Sequence, residues 1–478
     1  MKKSYIFLVL LLSYFVSNAE VKLPAIVSSN MVLQRDTEVM IWGWASPKEA
    51  IKIKASWLDQ SIDITADKEG NWKTSIKTTL SKEEQSIHLS SKSSDIHLEN
   101  ILFGEVWLCS GQSNMEMALK GNPGQPIFGS VKAIAHSRNP QIRLFGIQKN
   151  GASTPLADVG KPSKWVEASP ETVADFSALA YFFGRELNEV LDVPVGLIKT
   201  SFGASFVEAW ISKDVLEQYQ KVKENTEGLR PNKTQTALFN AMVHPIIPYT
   251  IKGAIWYQGE SNREFPKEYQ TLFPAMVKDW RTRWNQGDFP FFFAQIAPYQ
   301  GKDEGDYYNS PRNAAFLREA QSKCVDLIPN SYMINNMDLG QEKSIHPPFK
   351  KETAHRFVMS ALQHTYNYEY VNADAPIFES MEQTKAGVLL CFKQLGLGLY
   401  CEGDIPGFEV AGKDKVFYPA QAKVHKKSKV IVTCDQVDEV VAVRYCWKNW
   451  IKAKLYGVNM IPVASFRTDD WEMAEQAQ

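Results

Sequence analysis

Between Val106 and about Leu362 the chain alternates apolar, β-rich runs with helical stretches, and this alternation constrains its fold more than any other feature. The runs are Val106–Cys109, Ile142–Ile147, Val195–Thr200, Gly253–Tyr257, Phe291–Ile296 and Tyr332–Met337. Between several of them lie helical stretches. From Ala174 to Leu191, Leu179, Phe182, Phe183, Leu187 and Val190 recur at helical spacing, and Arg312 to Cys324 is a second such stretch. Alternation of this kind predicts an α/β unit: a mainly parallel sheet with helices on both faces.

The flanking regions read differently. From about residue 20 to 103 short strands dominate: Val39 to Trp42 closes on Gly43, and Ile51, Ile53 and Ala55 alternate with Lys52 and Lys54. Ile62 and Ile64 alternate with Asp63 and Thr65, and Lys68-Glu69-Gly70-Asn71-Trp72 reads as a turn entering a strand. Beyond about Tyr366 the strands return at Val388–Phe392, Val430–Thr433 and Val440–Tyr445. The predicted order is an N-terminal β domain over 20–103, an α/β domain over 104–365 and a C-terminal β region over 366–478. A chain of 478 residues fits several cores better than one.

Residues 1–19 carry an address rather than a fold. Lys2 and Lys3 precede the apolar run Tyr5 to Val16, and Ser17-Asn18-Ala19 supplies small residues at a cleavage site. This pattern describes a secretory signal peptide, so the mature chain is expected in the periplasm or outside the cell. The run is short for a membrane span of roughly 20 apolar residues, so no membrane partner is expected once it is removed. In an oxidising compartment the six cysteines, Cys109, Cys324, Cys391, Cys401, Cys434 and Cys446, allow about 15 connectivities, among which the spacing does not choose. Cys109, inside an apolar strand, reads as a buried thiol. The spacings contain no CxxC or His-rich set, so no metal is expected.

Composition narrows the partners. With 53 basic and 54 acidic residues the formal net charge is −1, whereas phosphate binding wants a basic excess, so nucleic acid is not an expected partner. The 13 Trp residues suit a protein that stacks on sugar faces, although most belong in cores. Oligomeric state is not legible in the sequence.

In an open α/β sheet functional groups collect at the carboxyl ends of the strands. Reading those ends gives a consistent set. The first strand runs into Ser110-Gly111-Gln112-Ser113-Asn114-Met115, and the third into Ser201-Phe202-Gly203-Ala204-Ser205. The fourth runs into Gln258-Gly259-Glu260-Ser261-Asn262, and the last into Asp338-Leu339-Gly340, with Ile345-His346-Pro347 beyond. A hydroxyl, an imidazole and donors for an oxyanion are the parts acyl transfer needs. Each part has a plainer reading. Ser113 fits a helix N-cap, Gln258-Gly259-Glu260 fits a tight loop with a solvated carboxylate, and Trp210, Trp256 and Tyr257 fit a core. Of the eight histidines, His88 and His97 fall in the β domain and His355 and His364 on a helix, while His346 lies in a loop at the correct edge. Only their joint placement favours chemistry.

The blocks Gly104-Glu105-Val106-Trp107-Leu108-Cys109-Ser110-Gly111-Gln112-Ser113-Asn114-Met115-Glu116 and Trp256-Tyr257-Gln258-Gly259-Glu260-Ser261-Asn262 resemble the sialate O-acetylesterase family, a branch of the SGNH hydrolases. Met31-Val32-Leu33-Gln34-Arg35 with Ile41-Trp42-Gly43-Trp44-Ala45 resembles its N-terminal β domain. Val443-Arg444-Tyr445-Cys446-Trp447 with Phe466-Arg467-Thr468-Asp469 resembles its C-terminal end. The resemblance implies an SGNH-type three-layer α/β sandwich flanked by β domains, and a serine esterase that removes acetyl groups from sugars without a cofactor. It implies Ser113 as nucleophile and His346 as general base. It also implies Ser113 N–H, Gly203 N–H and the Gln258 side chain as oxyanion donors, with Asn114, Glu260 and Asn262 binding substrate or supporting the site.

The residue that would orient His346 departs from the pattern. Many SGNH enzymes carry Asp three residues before the histidine, where this chain has Lys343, and members of this family often have it two before, where this chain has Ser344. The acids available are Asp338, Glu342 and Glu260. Asp338 is favoured for its strand-end position, and a Ser–His dyad oriented by a backbone carbonyl is the alternative. The expected substrate is an acetylated sialic acid or an acetylated plant polysaccharide such as xylan or xyloglucan. A non-catalytic glycan-binding protein on the same scaffold is the competing class, and a lipase or thioesterase of the wider superfamily is a third.

Overall fold

The computed structural model describes residues 20–160, 163–223, 228, 230–301 and 313–471. The signal peptide expected at residues 1–19 lies outside them. The central sheet follows the order Ser331–Ile334, Phe291–Ala294, Gly253–Tyr257, Asp95–Gly111, Val195–Ser201, Asn139–Gly146 and Trp165–Ala168. All neighbours are parallel except the last, which runs antiparallel along Asn139–Gly146.

The two faces of this sheet sort by the period of two that strand geometry imposes. Trp107, Cys109, Ile142, Leu144, Leu197, Ile255, Tyr257 and Phe292 point to one core, shared with the helices Ala178–Leu191 and Lys350–His364. Val106, Leu108, Phe145, Ile198, Ala254, Trp256, Phe291 and Phe293 point to the other, shared with the helices Pro266–Trp284 and Ala314–Leu327. A sheet covered on both faces is the three-layer sandwich read from the alternation. The helix expected from Ala174 begins at Ala178, where the Ser177 side chain accepts the Ala180 N–H as a cap, with a separate turn at Pro170–Val173 before it.

No linker separates the N-terminal strands from this sheet. Asp95–Gly111 is a single strand of 17 residues. Its first half pairs with Gln85–Ser91, its middle with Val32–Gln34, and its second half with Val195–Ser201 and Gly253–Tyr257. Glu105 ties the regions together at the junction. Its buried carboxylate accepts from Arg35 Nε at 2.6 Å, Gln34 Nε2 at 3.2 Å and Tyr366 Oη at 3.1 Å. The C-terminal region forms its own core beneath two four-stranded sheets. Within it Arg444 and Asp469, both almost wholly buried, make a two-bond ion pair. All six cysteines are free thiols, and burial pushes that of Cys109 far up, as suits a packing residue.

Removing one partner of a buried, hydrogen-bonded charge costs about 3–5 kcal/mol, because the other is left unpaired. Glu105→Ala, which strands Arg35 and Tyr366, is therefore expected to lower the thermal midpoint by several degrees in differential scanning calorimetry. A midpoint unchanged within error contradicts a role for Glu105 in tying the regions together.

Candidate active site

Register brings the strand ends together. Gly111 lies opposite both Ser201 and Tyr257, so the segments that follow all three strands leave the sheet at one level. The turn out of the central strand needs glycine at 111. Its φ is +137°, and a Cβ there would stand 2.2 Å from the Tyr257 carbonyl oxygen. Gln112 then donates its N–H to that carbonyl at 2.9 Å, and its side-chain oxygen accepts the N–H groups of Gly259 and Ser261, each at 3.3 Å. Ser113 follows as the first residue of a one-turn helix, Ser113–Glu116. Phe202 N–H binds the Gly111 carbonyl at 3.0 Å and sets Gly203 beside the serine, where an added Cβ would lie 3.6 Å from Ser113 Cβ.

The loop after the Ser331–Ile334 strand carries His346 to the same edge, where its Nε2 lies 2.8 Å from Ser113 Oγ. Ser344 serves the backbone of this loop: its Oγ donates to the His346 carbonyl at 3.1 Å and accepts the His346 N–H at 3.3 Å. His346 Nδ1 is enclosed and has no hydrogen-bond partner among the described residues.

Two sequence expectations change here. Asp338 does not orient His346. Both its oxygens are taken by Arg356, at 2.7 Å each, in the two-pronged geometry guanidinium favours. The Gln258 side chain is not an oxyanion donor. It is wholly buried, and its amide nitrogen is spent on the Ser205 carbonyl at 3.0 Å and on Asn262 Oδ1 at 2.7 Å. Asn262 is likewise buried, accepting from Val207 N–H and donating to Glu208, so it supports the loop rather than facing a ligand. Gly203 N–H is close to Ser113 as expected, but it donates to Glu116 Oε2, whose other oxygen takes Lys149 Nζ at 2.9 Å. Trp210, Trp256 and Tyr257 are core residues, each at most 1% exposed.

Asn114 and Glu260 join a buried chain that reasoning from spacing did not assemble. Asn114 Nδ2 donates to Glu260 Oε1 at 2.5 Å and to the Ile345 carbonyl at 3.0 Å. Lys350 Nζ, buried at the start of its helix, donates to Asn114 Oδ1 at 2.8 Å and to the Pro347 carbonyl at 2.7 Å. Burial holds Lys350 down at about 7, with Glu260 opposing, and it raises Glu260 above the ordinary carboxylate range. His346 is lowered first by burial and then by the Lys350 charge, with Glu116 pulling the other way. Neither Lys350 nor Glu116 is given a role by the sequence. A lysine and a glutamate beside a motif read as solvated, and only the fold encloses the one and places the other against Gly203.

Chemically the cluster offers a hydroxyl bonded to an imidazole of lowered basicity, with a backbone N–H of the first helical turn, which no intrahelical carbonyl reaches, next to it. Among the described residues the group with metal-ligand spacing is His88, Asp95 and His97, on the N-terminal strands rather than at this edge.

Comparison with known proteins agrees with this architecture. The family model of the sialic acid-specific acetylesterases, which are carbohydrate esterases, matches residues 103–389. The chain is 27% identical to the sialate O-acetylesterase of Homo sapiens over 483 residues, covering 89% of this chain and 87% of that protein. It is 25% identical to the Mus musculus sialate O-acetylesterase, with 89% of each covered. A carbohydrate acetylesterase from Xanthomonas citri superposes with a TM-score of 0.86 at 31% identity, over 94% of this chain and 100% of that one. With the matched region holding both the Gly-Gln-Ser turn and the histidine loop, the chain belongs to the sialic acid-specific acetylesterase family of carbohydrate esterases, and is a carboxylic ester hydrolase.

Proposed function

We propose that the protein hydrolyses O-acetyl esters of sugars, with Ser113 as nucleophile and His346 as general base. The observation that carries this reading is the 2.8 Å contact between His346 Nε2 and Ser113 Oγ at the carboxyl edge of the sheet. Ser113 Oγ attacks the acetyl carbonyl carbon while His346 Nε2 takes its proton. The bond from that carbon to the sugar oxygen then breaks, and the proton passes to the departing oxygen. Water attacks the acetyl-serine with its proton going to His346, and collapse returns a proton to Ser113 and releases acetate. The oxyanion is received by Ser113 N–H and by Gly203 N–H once the Glu116 carboxylate yields that donor. Each donor of this kind is worth about 10²–10³ in turnover. Among the described residues no carboxylate is bonded to His346, and the pair is proposed to work as a dyad within a polar shell.

The exposed Phe128 ring packs edge-on against Phe349, three residues past His346, and offers an apolar face for a sugar ring beside the site. Sialic acids acetylated on oxygen are the proposed substrate class, by kinship with the mammalian relatives. The N-terminal pattern of Lys2-Lys3, the apolar run and Ser17-Asn18-Ala19 supports export, and the site is proposed to act outside the cytoplasm.

Two outcomes are expected. Ser113→Ala lowers acetate release from a panel of acetylated sialosides, xylan and xyloglucan by about 10³-fold or more. Release that survives the substitution contradicts the mechanism, and strong preference for the xylan or xyloglucan arm reassigns the sugar. The second concerns pH. His346 works only when neutral and its basicity is lowered, so the acidic limb of kcat/KM falls below the ordinary histidine value of about 6.5. A limb centred above that value contradicts the assignment.

A further inference from the structure

The carbonyls on either side of His346 are both gripped by buried side chains, one from the nucleophile's turn and one from the helix that follows the histidine. Asn114, the residue after Ser113, holds the Ile345 carbonyl, and Lys350 holds the Pro347 carbonyl. The two grips are closed on each other by the Lys350 Nζ–Asn114 Oδ1 bond, and the free edge of the Asn114 amide is closed by Glu260. Asn114 and Lys350 are each 1% exposed. We propose that this buried chain, Lys350–Asn114–Glu260, is the positioning element of the base: it staples the His346 loop to the Ser113 helix and so fixes the place of the imidazole, the orienting part of what a carboxylate on Nδ1 does in a triad. The proposal rests on the assignment of Ser113 and His346 above.

The physical case is one of geometry and cost. A lysine ammonium is seldom buried without a structural return, because desolvation is expensive. Here it is bonded to two acceptors, and its countercharge, Glu260, is reached through Asn114 rather than by direct contact. Because Asn114 is fixed both to the residue before His346 and to the residue that closes the loop behind it, the Ser113–His346 separation is set by a side chain one residue from the nucleophile. The charges that face His346 are Lys350 from its helix and Glu116 from the nucleophile turn, with Glu260 behind Asn114. Lys350 therefore also biases the imidazole toward its neutral, working form.

The test uses the full chain, with p-nitrophenyl acetate and an acetylated sugar as probes. Wild type, Lys350→Met, Asn114→Leu and His346→Ala are compared for kcat, KM and the pH profile of kcat/KM, with thermal midpoints measured in parallel. Lys350→Met is expected to lower kcat about 10²-fold with KM little changed, the scale of a small misplacement of a reacting group. It should also move the acidic limb to higher pH, since the nearby positive charge is gone and the imidazole takes a proton more readily. A purely structural residue would not move that limb. Asn114→Leu frees the Ile345 carbonyl and should lower kcat on the same scale, which keeps the test informative if Lys350→Met does not fold. An inactive His346→Ala beside a Lys350→Met enzyme with unchanged kcat and limb overturns the positioning role alone. An active His346→Ala overturns the dyad assignment and this inference with it.

Discussion

Both edges of the second half of the strand Asp95–Gly111 are hydrogen-bonded to parallel neighbours, and the site depends on where those neighbours end. A parallel ladder cannot slip by one residue without turning every apolar side chain to the wrong face. The two cores, one under Trp107 and Ile255 and the other under Leu108 and Trp256, therefore lock Gly111 level with Ser201 and Tyr257. Because that level is fixed, the serine turn, the Gly203 turn and the Gly259 turn emerge as neighbours. The positive φ of Gly111 and its close approach to the Tyr257 carbonyl are the local cost of making the chain leave the sheet there.

Against that rigid edge, the histidine arrives on a loop, and loops need other means of registration. In this protein the means are polar and buried. Asn114 and Lys350 hold the carbonyls before and after His346, while the strand-end carboxylate, Asp338, is drawn off by Arg356. The electrostatic consequence is that the Lys350 cation acts on the base more strongly than the opposing Glu116 carboxylate. A carboxylate on Nδ1 would stabilise the imidazolium. A buried lysine disfavours it and keeps the imidazole ready to accept a proton.

Much of this architecture was legible in the residues. Apolar runs such as Phe291–Ala294 reveal doubly buried strands, and strand-end serines and glycines reveal the edge where chemistry gathers. The helix at Ala178–Leu191 follows from the spacing of Leu179, Phe183 and Leu187. Side-chain commitments were less legible, because they depend on what lies across the fold. Asp338 and Gln258 have the residue types and strand-end positions of catalytic parts, yet Arg356 and Asn262, distant or buried, claim them first. The reverse holds for Lys350, whose burial four residues past the histidine has no local signature, and for Glu116, which the turn at Gly203 turns into a hydrogen-bond partner of the site.

The central claim is that an acetyl group passes through Ser113, and it is tested most directly by trapping that group. Wild-type protein mixed with an acetylated substrate, quenched within a turnover, digested and mapped by mass spectrometry should carry one acetyl group on the peptide holding Ser113. Hydroxylamine treatment should remove it, as it cleaves esters. Steady release of acetate with that peptide unmodified, or an acetyl group carried on another residue, contradicts the account.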